Sequence, residues 1–481
     1  MKPNLREIHA SLLGLDERYA EPEAVRVLQR PENAHLLDYV SNDPFGSHVF
    51  PGDNPSTPEE FLSDLDRELS TCEPFFLWAT IPICRYHCLY CQFPIVVQPR
   101  DENEAARRAR QWVDTNLREA RVWLEKVPHL AQAPVAEFCL FGGTPTLLPA
   151  PELERLLDFY RTYFNFNEQT TVRVEGSPDS LTRSKLELLK RAGCQKLTFG
   201  VQTFDERLLR LSNRLHSSDE AEQAVVNANE LGFARVDGDL IYGLLDQTVD
   251  GFRSDLHRML ALGFTSVVIT KLHLKPFAET GTAIAGIRAP WTDELYRARL
   301  VEKGHRWPTL GEQYQMRELA VELLEAAGML EYPTMYFQPE AVGCGTWKAY
   351  VLDQDKQRPE VGIGLGGSSA TSRASANISV DPKTYFAAID AGMLPLEARR
   401  LDRRGEIASS IRRALSTCQP LRDELHRARF AESSLFDDEW GPIFERLEQR
   451  GLALVDGSSQ TIGLTKVGKS LVEAIMHTEI R

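Results

Sequence analysis

Three cysteines, Cys84, Cys88 and Cys91, lie within eight positions of the stretch "IPICRYHCLYCQF" (81–93), in a chain with eight cysteines in all. Three thiols on one short loop, with three and then two residues between them, can turn toward a single point. This favours a metal centre over pairwise oxidation. Structural zinc with His87 as fourth ligand is the alternative, but zinc sites usually combine two separated ligand pairs, and no second CxxC occurs. The spacing therefore favours an iron–sulfur cluster with an open coordination position.

The remaining cysteines do not form a comparable group. A disulfide framework is typical of short secreted chains, and these cysteines are spread over 481 residues. We therefore predict that they are small core residues. They are Cys72, Cys139, Cys194, Cys344 and Cys418.

Glycines and polar residues recur where predicted strands end. The stretch "FGGTPT" (141–146) has a glycine pair that lets a ligand approach the backbone, followed by a proline that fixes the turn. Glu175 lies at the end of the third predicted strand, Gln202 ends the fourth and Asp239 lies in the fifth. Because the active sites of α/β barrels lie at the carboxyl ends of the strands, we expect these residues to meet the cysteines there.

An alternation of strands and helices must position these groups. Short apolar and β-branched runs predict six strands, and amphipathic stretches between them predict helices, one opened by a capping box of Ser217 and Glu220 and closed by Gly232. The fold predicted is α/β, a partial (β/α)6 TIM-like barrel of parallel strands with right-handed crossovers. The strands are at 75–81, 137–143, 171–176, 196–202, 234–243 and 265–274, and the other helices at 105–127, 151–164, 182–193 and 248–262.

Composition narrows the class of protein. A hydrophobic content of 42% with 26% charged residues is ordinary for a soluble globular protein with a sizeable core. A net charge of −14 argues against a nucleic-acid partner, and the basic run Arg107–Arg110 is predicted to be a solvated helix face. No run approaches the ~18 apolar residues of a membrane span, and the start shows no secretory signal. We therefore expect no membrane partner and a cytoplasmic location.

Taken together, the motifs resemble the radical S-adenosylmethionine (SAM) superfamily, and more narrowly its HemN/HemW branch, the oxygen-independent coproporphyrinogen III oxidase-like proteins. The resemblance rests on CxxxCxxC and GGTPT, with "EGSPDSLT", "GVQTFDERLLRLSNRLHS" and "DLIYGLLDQT" after or at strands three to five. It covers about 75–276, resumes at "GIGLGGSSATS" (362–372), and ends in a segment (444–468) similar to part of a winged helix.

The resemblance implies a domain organisation. A radical SAM barrel core follows an N-terminal extension, and an accessory region that completes the barrel mouth leads into a small winged-helix-like cap. The predicted boundaries are 1–70 for the extension, 71–290 for the core, 291–395 for the accessory region and 396–481 for the cap.

The resemblance also implies cofactors. The three cysteines would hold three irons of a [4Fe–4S] cluster, and the fourth iron would chelate S-adenosylmethionine, which an electron from a flavodoxin- or ferredoxin-like donor cleaves to methionine and a 5′-deoxyadenosyl radical. A second S-adenosylmethionine would lie beside the first, with Tyr90 also predicted to be catalytic. Matches to the first molecule are Trp78, Gly142 and Glu175; matches to the second are Tyr90, Gly143, Thr144, Gln202, Arg214 and Asp239, with Ile241, Leu272 and His273 as further cofactor contacts.

The chain departs from the branch near the expected substrate. Trp78 and Thr80 replace a tyrosine and a histidine of the family pattern, and Phe93 stands where coproporphyrinogen oxidases have a further cysteine. The stretch "VGCGTWKAYV" (342–351) lacks the His-Asn and Tyr-Trp pattern of the haem chaperones. The residues that match the family's cofactor site are thus kept, whereas those near its porphyrin substrate are altered.

These departures favour a HemN-like C-methyltransferase or cyclopropanase of specialised metabolism acting on a small-molecule substrate. In that subclass a methylene radical of the second S-adenosylmethionine adds to an sp2 carbon of a natural-product intermediate. The alternatives are a porphyrin- or haem-active enzyme, acting by oxidative decarboxylation or haem ring opening, and a HemW-like haem chaperone.

Overall fold

Six parallel strands form the centre of the protein, in a computed structural model that describes residues 13–42, 54–276, 289–339 and 354–480. Each strand pairs in parallel with the next along the chain, which confirms the predicted α/β alternation. We call them barrel strands one to six. Their bounds are Phe75–Ile81, Val135–Gly142, Thr171–Gly176, Lys196–Gln202, Arg235–Tyr242 and Ser266–Lys271.

Helices connect the barrel strands and cover their outer face. The longest, Glu102–Lys126, buries Trp112, Val113 and Trp123 in the main core and exposes its charged residues, as its amphipathic pattern requires. The predicted capping box is present, since Ser217 and Glu220 bond each other's backbone amides. The other connecting helices are Ala150–Tyr163, Arg183–Arg191, Glu206–Leu211, Ser218–Glu230 and Val249–Leu262.

Further strands extend the barrel on both edges, so that thirteen described strands share one sheet. Glu360–Ile363 pairs in parallel with barrel strand one, and Tyr336–Gln338 pairs antiparallel with barrel strand six. In the described residues the strand order is linear, which makes the barrel a partial one. Beyond these lie Ser368–Ala370, Ala374–Ile378, Leu396–Arg400 and Asn54–Ser56 on one edge and Leu330–Glu331 on the other.

The segment "GIGLGGSSATS" contains the turn that follows Glu360–Ile363, which we call the added strand and which pairs with barrel strand one. Gly364 has a φ of +113°, and a Cβ there would collide with the Thr80 hydroxyl. That hydroxyl donates to the Leu365 carbonyl at 3.1 Å. Thr80, one of the departures from the family pattern, therefore holds the sheet extension in place. Another of the departures, "VGCGTWKAYV", lies outside the described residues.

The C-terminal part forms a smaller unit with a three-stranded sheet. Its order of helix, strand, two helices and two strands is that of a winged helix. The predicted cap from 396 includes Leu396–Arg400, which pairs with Ala374–Ile378 in the large sheet, so the smaller unit follows that strand. Its elements are Arg403–Ser416, Leu421–Arg422, Asp423–Arg429, Gly441–Gln449, Ala453–Asp456 and Thr461–Leu464, followed by Lys466–Ser470 and Val472–Thr478.

The described residues of the predicted N-terminal extension contribute to two apolar cores, the main core of the barrel and the core of the smaller C-terminal unit. Helices Glu23–Leu28 and Ala34–Ser41 pack in one apolar cluster with Trp440 and other C-terminal residues. Helix Pro58–Leu69 packs in the main core. No helix within the described ranges is long and apolar enough to cross a membrane.

The accessory region adds three further helices to the described chain. They are Glu294–Glu302, Leu310–Ala326 and Pro382–Asp390. The helix Leu310–Ala326 begins at a capping box of Thr309 and Glu312 and contributes Met316 and Leu324 to the main core. It therefore ties the accessory region to the barrel.

Candidate functional site

The cysteine loop begins just beyond the end of barrel strand one and is closed at its base. Ile83–Cys84 pairs with Val96–Val97, a two-residue contact that the sequence analysis did not predict. Within the loop, the Cys91 amide donates to the Cys88 carbonyl at 3.0 Å. The turn and the closed base bring the three thiols to the lining of one cavity.

The segment after barrel strand four anchors the outer side of this loop. The Leu89 amide donates to the Ser212 carbonyl at 3.0 Å, and Asn213 Nδ2 donates to the His87 carbonyl at 2.8 Å. His87 Nε2 also lies 3.0 Å from the Cys91 carbonyl oxygen. Because these bonds run between two barrel mouth segments, the loop is held from both strands one and four.

The cavity at the barrel mouth has a volume of about 280 Å³. All of the predicted site residues except Trp78 and Glu175 line it. The predicted residues that line it are Cys84, Cys88, Tyr90, Cys91, Gly142, Gly143, Thr144, Gln202, Arg214, Asp239, Ile241, Leu272 and His273.

Burial dominates the electrostatics of the loop thiols. Burial raises the pKa of the Cys84 thiol to about 11, and burial followed by the charge of Cys88 raises that of Cys91 to about 12. Such thiols ionise when a metal supplies positive charge. No three His, Cys, Asp or Glu side chains of the described ranges form a site for one metal ion. In an iron–sulfur cluster each thiolate binds a different iron, so the three thiols need not converge on one metal ion. The three cysteines therefore fit a cluster.

The glycine pair of "FGGTPT" packs directly against the cysteine loop. The Gly143 amide donates to the Ile81 carbonyl at 3.0 Å, and the Thr144 amide donates to the Ile83 carbonyl at 2.6 Å. A Cβ on Gly143 would lie 2.5 Å from that Ile83 oxygen. The Thr144 hydroxyl is 3.6 Å from Cys84 Sγ. Only glycine at position 143 therefore permits this contact between the two loops.

Arg214 lies between the cysteine loop and barrel strand four. It is 8% exposed, and its Nη1 is 3.2 Å from the Tyr90 hydroxyl and 3.5 Å from Cys88 Sγ. Its Nη2 donates to the Gly200 carbonyl, and its Nε donates to His216 Nδ1 at 3.3 Å. Burial alone would lower its pKa, but Tyr90 and Cys88 raise it overall. A permanent cation thus faces a thiol as well as the cavity, a contact that the sequence analysis missed.

Two carboxylates of the barrel interior carry unfavourable charge. Burial, with Glu175 and Asp237 nearby, raises the pKa of Asp239 well above its usual value. Burial also raises the pKa of Glu175, against the lowering effect of Arg173, whose Nη1 is 3.7 Å away. An ammonium group bound in the cavity would relieve the unfavourable charge of Asp239. Asp239 lines the cavity, whereas Glu175 lies outside the lining, beside Arg173.

Trp78 also lies outside the cavity lining. Its Nε1 donates to Glu360 at 3.4 Å, and its ring stacks on Phe76 with a centroid distance of 5.7 Å. The Arg173 guanidinium lies 5.8 Å from the ring centroid. Trp78 thus links barrel strand one, to which it belongs, with the added strand through Glu360 and with the buried Arg173.

The loop after barrel strand four depends on a residue that the sequence analysis did not single out. Gln202 has a left-handed backbone with a φ of +71°. Asp255 accepts hydrogen bonds from the Thr203 hydroxyl and the Phe204 amide, both at 2.8 Å. Burial raises the pKa of Asp255 to about 7. The only available signal was a polar residue on the buried face of the helix Val249–Leu262.

Several lining residues were likewise not predicted. Arg85 of the cysteine loop pairs with Asp179 at 2.8 Å, and Gln92 Nε2 donates to the Lys275 carbonyl at 3.0 Å. Asp179 lies within "EGSPDSLT", so its motif was recognised although its role was not. The unpredicted residues of the lining are Arg85, Tyr86, Gln92, Phe93, Ile95, Leu147, Ser177, Asp179, Thr270 and Lys271.

Comparison with known proteins agrees with this geometry. Residues 78–259 match the model of the Radical SAM superfamily. The chain is 28% identical over 262 residues to the heme chaperone HemW of Bacillus subtilis (strain 168), which is 53% of this chain and 62% of the relative. It is 30% identical over 189 residues to the oxygen-independent coproporphyrinogen III oxidase of Salmonella typhimurium, which is 39% of this chain and 40% of the relative. The chain therefore spans less than two thirds of either relative.

The fold has a counterpart among solved structures. Coproporphyrinogen III oxidase (HemN) from Escherichia coli superimposes with a TM-score of 0.70 and 22% sequence identity, covering 88% of this chain and 95% of that one. At this identity the likeness establishes the shared fold. It extends well beyond the barrel, since it covers far more of the chain than residues 78–259.

Proposed function

Because this chain belongs to the radical SAM superfamily, in its HemN/HemW-like branch, we propose that it transfers a methyl-derived carbon to an sp2 carbon of a small-molecule substrate. The product is a C-methylated or cyclopropanated natural-product intermediate. The proposed cofactors are a [4Fe–4S] cluster on Cys84, Cys88 and Cys91 and two S-adenosylmethionine molecules. The observation that carries the proposal is that these thiols share one cavity with Gln202, Arg214 and Asp239.

The proposed cofactor chemistry needs little from the protein besides binding and exclusion of water. When bound, the cluster and its S-adenosylmethionine supply one-electron reduction and hydrogen-atom abstraction. The chain supplies a backbone surface at Gly142 and Gly143 that lets a ligand come close. Asp239 and Glu175 suit an ammonium group, and Arg214 suits a carboxylate. Tyr90, whose hydroxyl is 3.2 Å from Arg214 Nη1, lies between these groups and the loop.

An isotope experiment tests the second S-adenosylmethionine. During anaerobic turnover of the reduced protein with methyl-deuterated S-adenosylmethionine, we expect deuterium in the 5′-deoxyadenosine, because the abstracted hydrogen comes from the methyl group of the second molecule. Mass spectrometry of the nucleoside gives the answer, and the Cys88→Ala variant serves as the control that forms none. Intact turnover without deuterium in the nucleoside would reject this mechanism in favour of hydrogen abstraction from the substrate.

The second candidate function is that of a porphyrin- or haem-active enzyme, or of a haem chaperone. It is favoured by the two relatives, one a coproporphyrinogen III oxidase and the other a heme chaperone. In this chain Phe93, 39% exposed, lines the cavity where coproporphyrinogen oxidases have a cysteine. An aromatic ring there removes a possible thiol from the mouth of the site.

Haem titration separates a chaperone from the proposed transferase. We expect no stoichiometric change in the haem absorption spectrum when haem is added to the purified protein with its cluster. A chaperone would bind one equivalent and show a defined endpoint in the titration. Decarboxylation of added coproporphyrinogen III, followed by mass spectrometry, would instead favour the oxidase.

Two further features belong to the proposal. A flavodoxin- or ferredoxin-like protein would supply the electron, and the protein would act in the cytoplasm, where thiols remain reduced. All described cysteines are free thiols, which suits such a compartment.

A further inference from the structure

A second, smaller cavity lies beside the first at the barrel mouth. Its volume is about 60 Å³, and it is enclosed by the ends of barrel strands five and six, by helices Ala34–Ser41 and Leu310–Ala326, and by the C-terminal helices. Lys271, the last residue of barrel strand six, lines both cavities. The two spaces are therefore neighbours that share a cationic wall.

The lining of the second cavity has more basic than acidic side chains. Lys271, Arg317 and Lys469 line it, and Glu473 is its acidic member. Glu331, outside the lining, pairs with Arg317, so the excess of positive charge rests on the two lysines, in a chain whose net charge is −14. An anionic group would be attracted to such a lining, and burial would strengthen that attraction.

Two of these cations have unused capacity to donate hydrogen bonds. Arg317 is 4% exposed; its Nη2 donates to Glu331 at 2.5 Å, while its Nη1 has no hydrogen-bond partner in the part of the chain that the structure describes. The Lys469 ammonium forms no ion pair or hydrogen bond with any described residue. A buried guanidinium with an unused donor is costly unless a ligand or water completes it.

Tyrosines add further polar surface to the cavity, beside Gln313, Thr334 and Ser470. Tyr39 and Tyr314 line it from the N-terminal helix and from helix Leu310–Ala326. Burial, followed by nearby acidic groups, raises the pKa of both hydroxyls, so they stay neutral and can donate. Tyr242 adds an aromatic side chain at the end of barrel strand five. The cavity thus combines cations, neutral hydroxyl donors and ring surfaces.

We infer that the second cavity holds the carboxylate end of the substrate, with the rest of the molecule passing Lys271 into the first cavity. This inference rests on the proposed function, since it assigns the substrate a carboxylate. A space of about 60 Å³ accommodates one small polar group and not a whole substrate. The reacting carbon then lies on the side of the cysteine loop, and the charge lies near Lys469.

Binding of benzoate, with its neutral analogue benzamide, tests the inference on the full-length protein carrying its cluster. Ligand-observed NMR titration should give saturable benzoate binding, at least roughly tenfold tighter than that of benzamide, because only the acid makes charge-assisted hydrogen bonds. Lys469→Gln should weaken benzoate binding by a similar factor, and Lys469→Arg should retain it. Tyr39→Phe, in the lining contributed by helix Ala34–Ser41, should also weaken it.

The matched control is Lys466→Gln, on the same short helix but with a highly exposed side chain that pairs with Glu325 at 2.8 Å. This variant should bind benzoate as the wild type does. Equal binding of acid and amide, no benzoate binding by the wild type, or equal loss in the Lys466 and Lys469 variants would reject the carboxylate site.

The outcome is separate from that of the proposed function. Benzoate binding needs no reduction and no S-adenosylmethionine. If benzoate binds as expected but no methyl deuterium appears in 5′-deoxyadenosine, the carboxylate site is supported and the proposed transferase is rejected. Transfer of deuterium without benzoate binding would reject the carboxylate site alone.

Discussion

Replacing Cys84, Cys88 or Cys91 by alanine is expected to abolish the brown colour and iron content of the protein while leaving it folded. The three thiols lie on a loop at the barrel mouth, outside the main core, so their loss removes proposed iron ligands without opening a cavity in the core. Iron analysis and visible absorption after anaerobic purification measure the cluster, and circular dichroism measures the fold.

The controls for this experiment are Cys72→Ala and Cys194→Ala. Cys72 is exposed, so its prediction as a core residue is wrong, whereas Cys194 is a buried core residue whose thiol donates to the Lys196 carbonyl at 3.2 Å. Both variants should retain full iron content, although the second should lower the free energy of unfolding. Equal bleaching in either of them would show that the ligand assignment is wrong.

Asp239→Asn is expected to keep reductive cleavage of S-adenosylmethionine and to lose transfer of the methyl-derived carbon. The side chain lines the cavity and is proposed to hold the ammonium group of the second molecule. Losing a charged partner from such a site costs about 2–3 kcal/mol, or roughly 30- to 150-fold in affinity. Chromatography of 5′-deoxyadenosine and of the alkylated product, over a range of cosubstrate concentrations, separates the two activities.

The comparison variants for this prediction are Arg214→Ala and Asp158→Asn. Arg214 contacts both Tyr90 and Cys88, so its loss should impair transfer and also alter the cluster, seen as a changed visible or EPR spectrum. Asp158 is exposed on an outer helix, and its variant should match the wild type. Loss of cleavage in Asp239→Asn in proportion to the loss of transfer would contradict the separate second site.

The barrel could be predicted from sequence because each of its strands is a short run with buried apolar residues that alternates with amphipathic helices. Barrel strand one was predicted at its observed bounds, Phe75–Ile81, since every residue in it is buried or nearly so. The added strand Glu360–Ile363 was not predicted, because its four residues carry no periodic signal and its pairing with barrel strand one depends on contacts about 280 residues apart.

The site was predictable to the extent that strand ends converge. Gln202 and Asp239 line the predicted cavity because both lie at the mouth of neighbouring parallel strands. The contact of Arg214 with Cys88 could not be predicted, since the arginine follows a helix and its direction depends on the Gly200 carbonyl and on His216. The same limit applies to Lys271, which gains its place between two cavities only when the N- and C-terminal helices pack together.

That packing has a consequence for the order of events during synthesis. Helices Glu23–Leu28 and Ala34–Ser41 share their apolar cluster with Trp440 and Ile475, and Glu479 accepts hydrogen bonds from Arg450 at 2.6 Å. The same cluster contains Leu310 and Tyr314, but its C-terminal members lie more than 350 residues after these helices. At ribosomal speeds of about 5–20 residues per second, roughly 20 seconds or more pass before the C-terminal part of this cluster is made. The cysteine loop and all six barrel strands emerge during this interval, so the proposed cluster site is made before the C-terminal helices that line the second cavity.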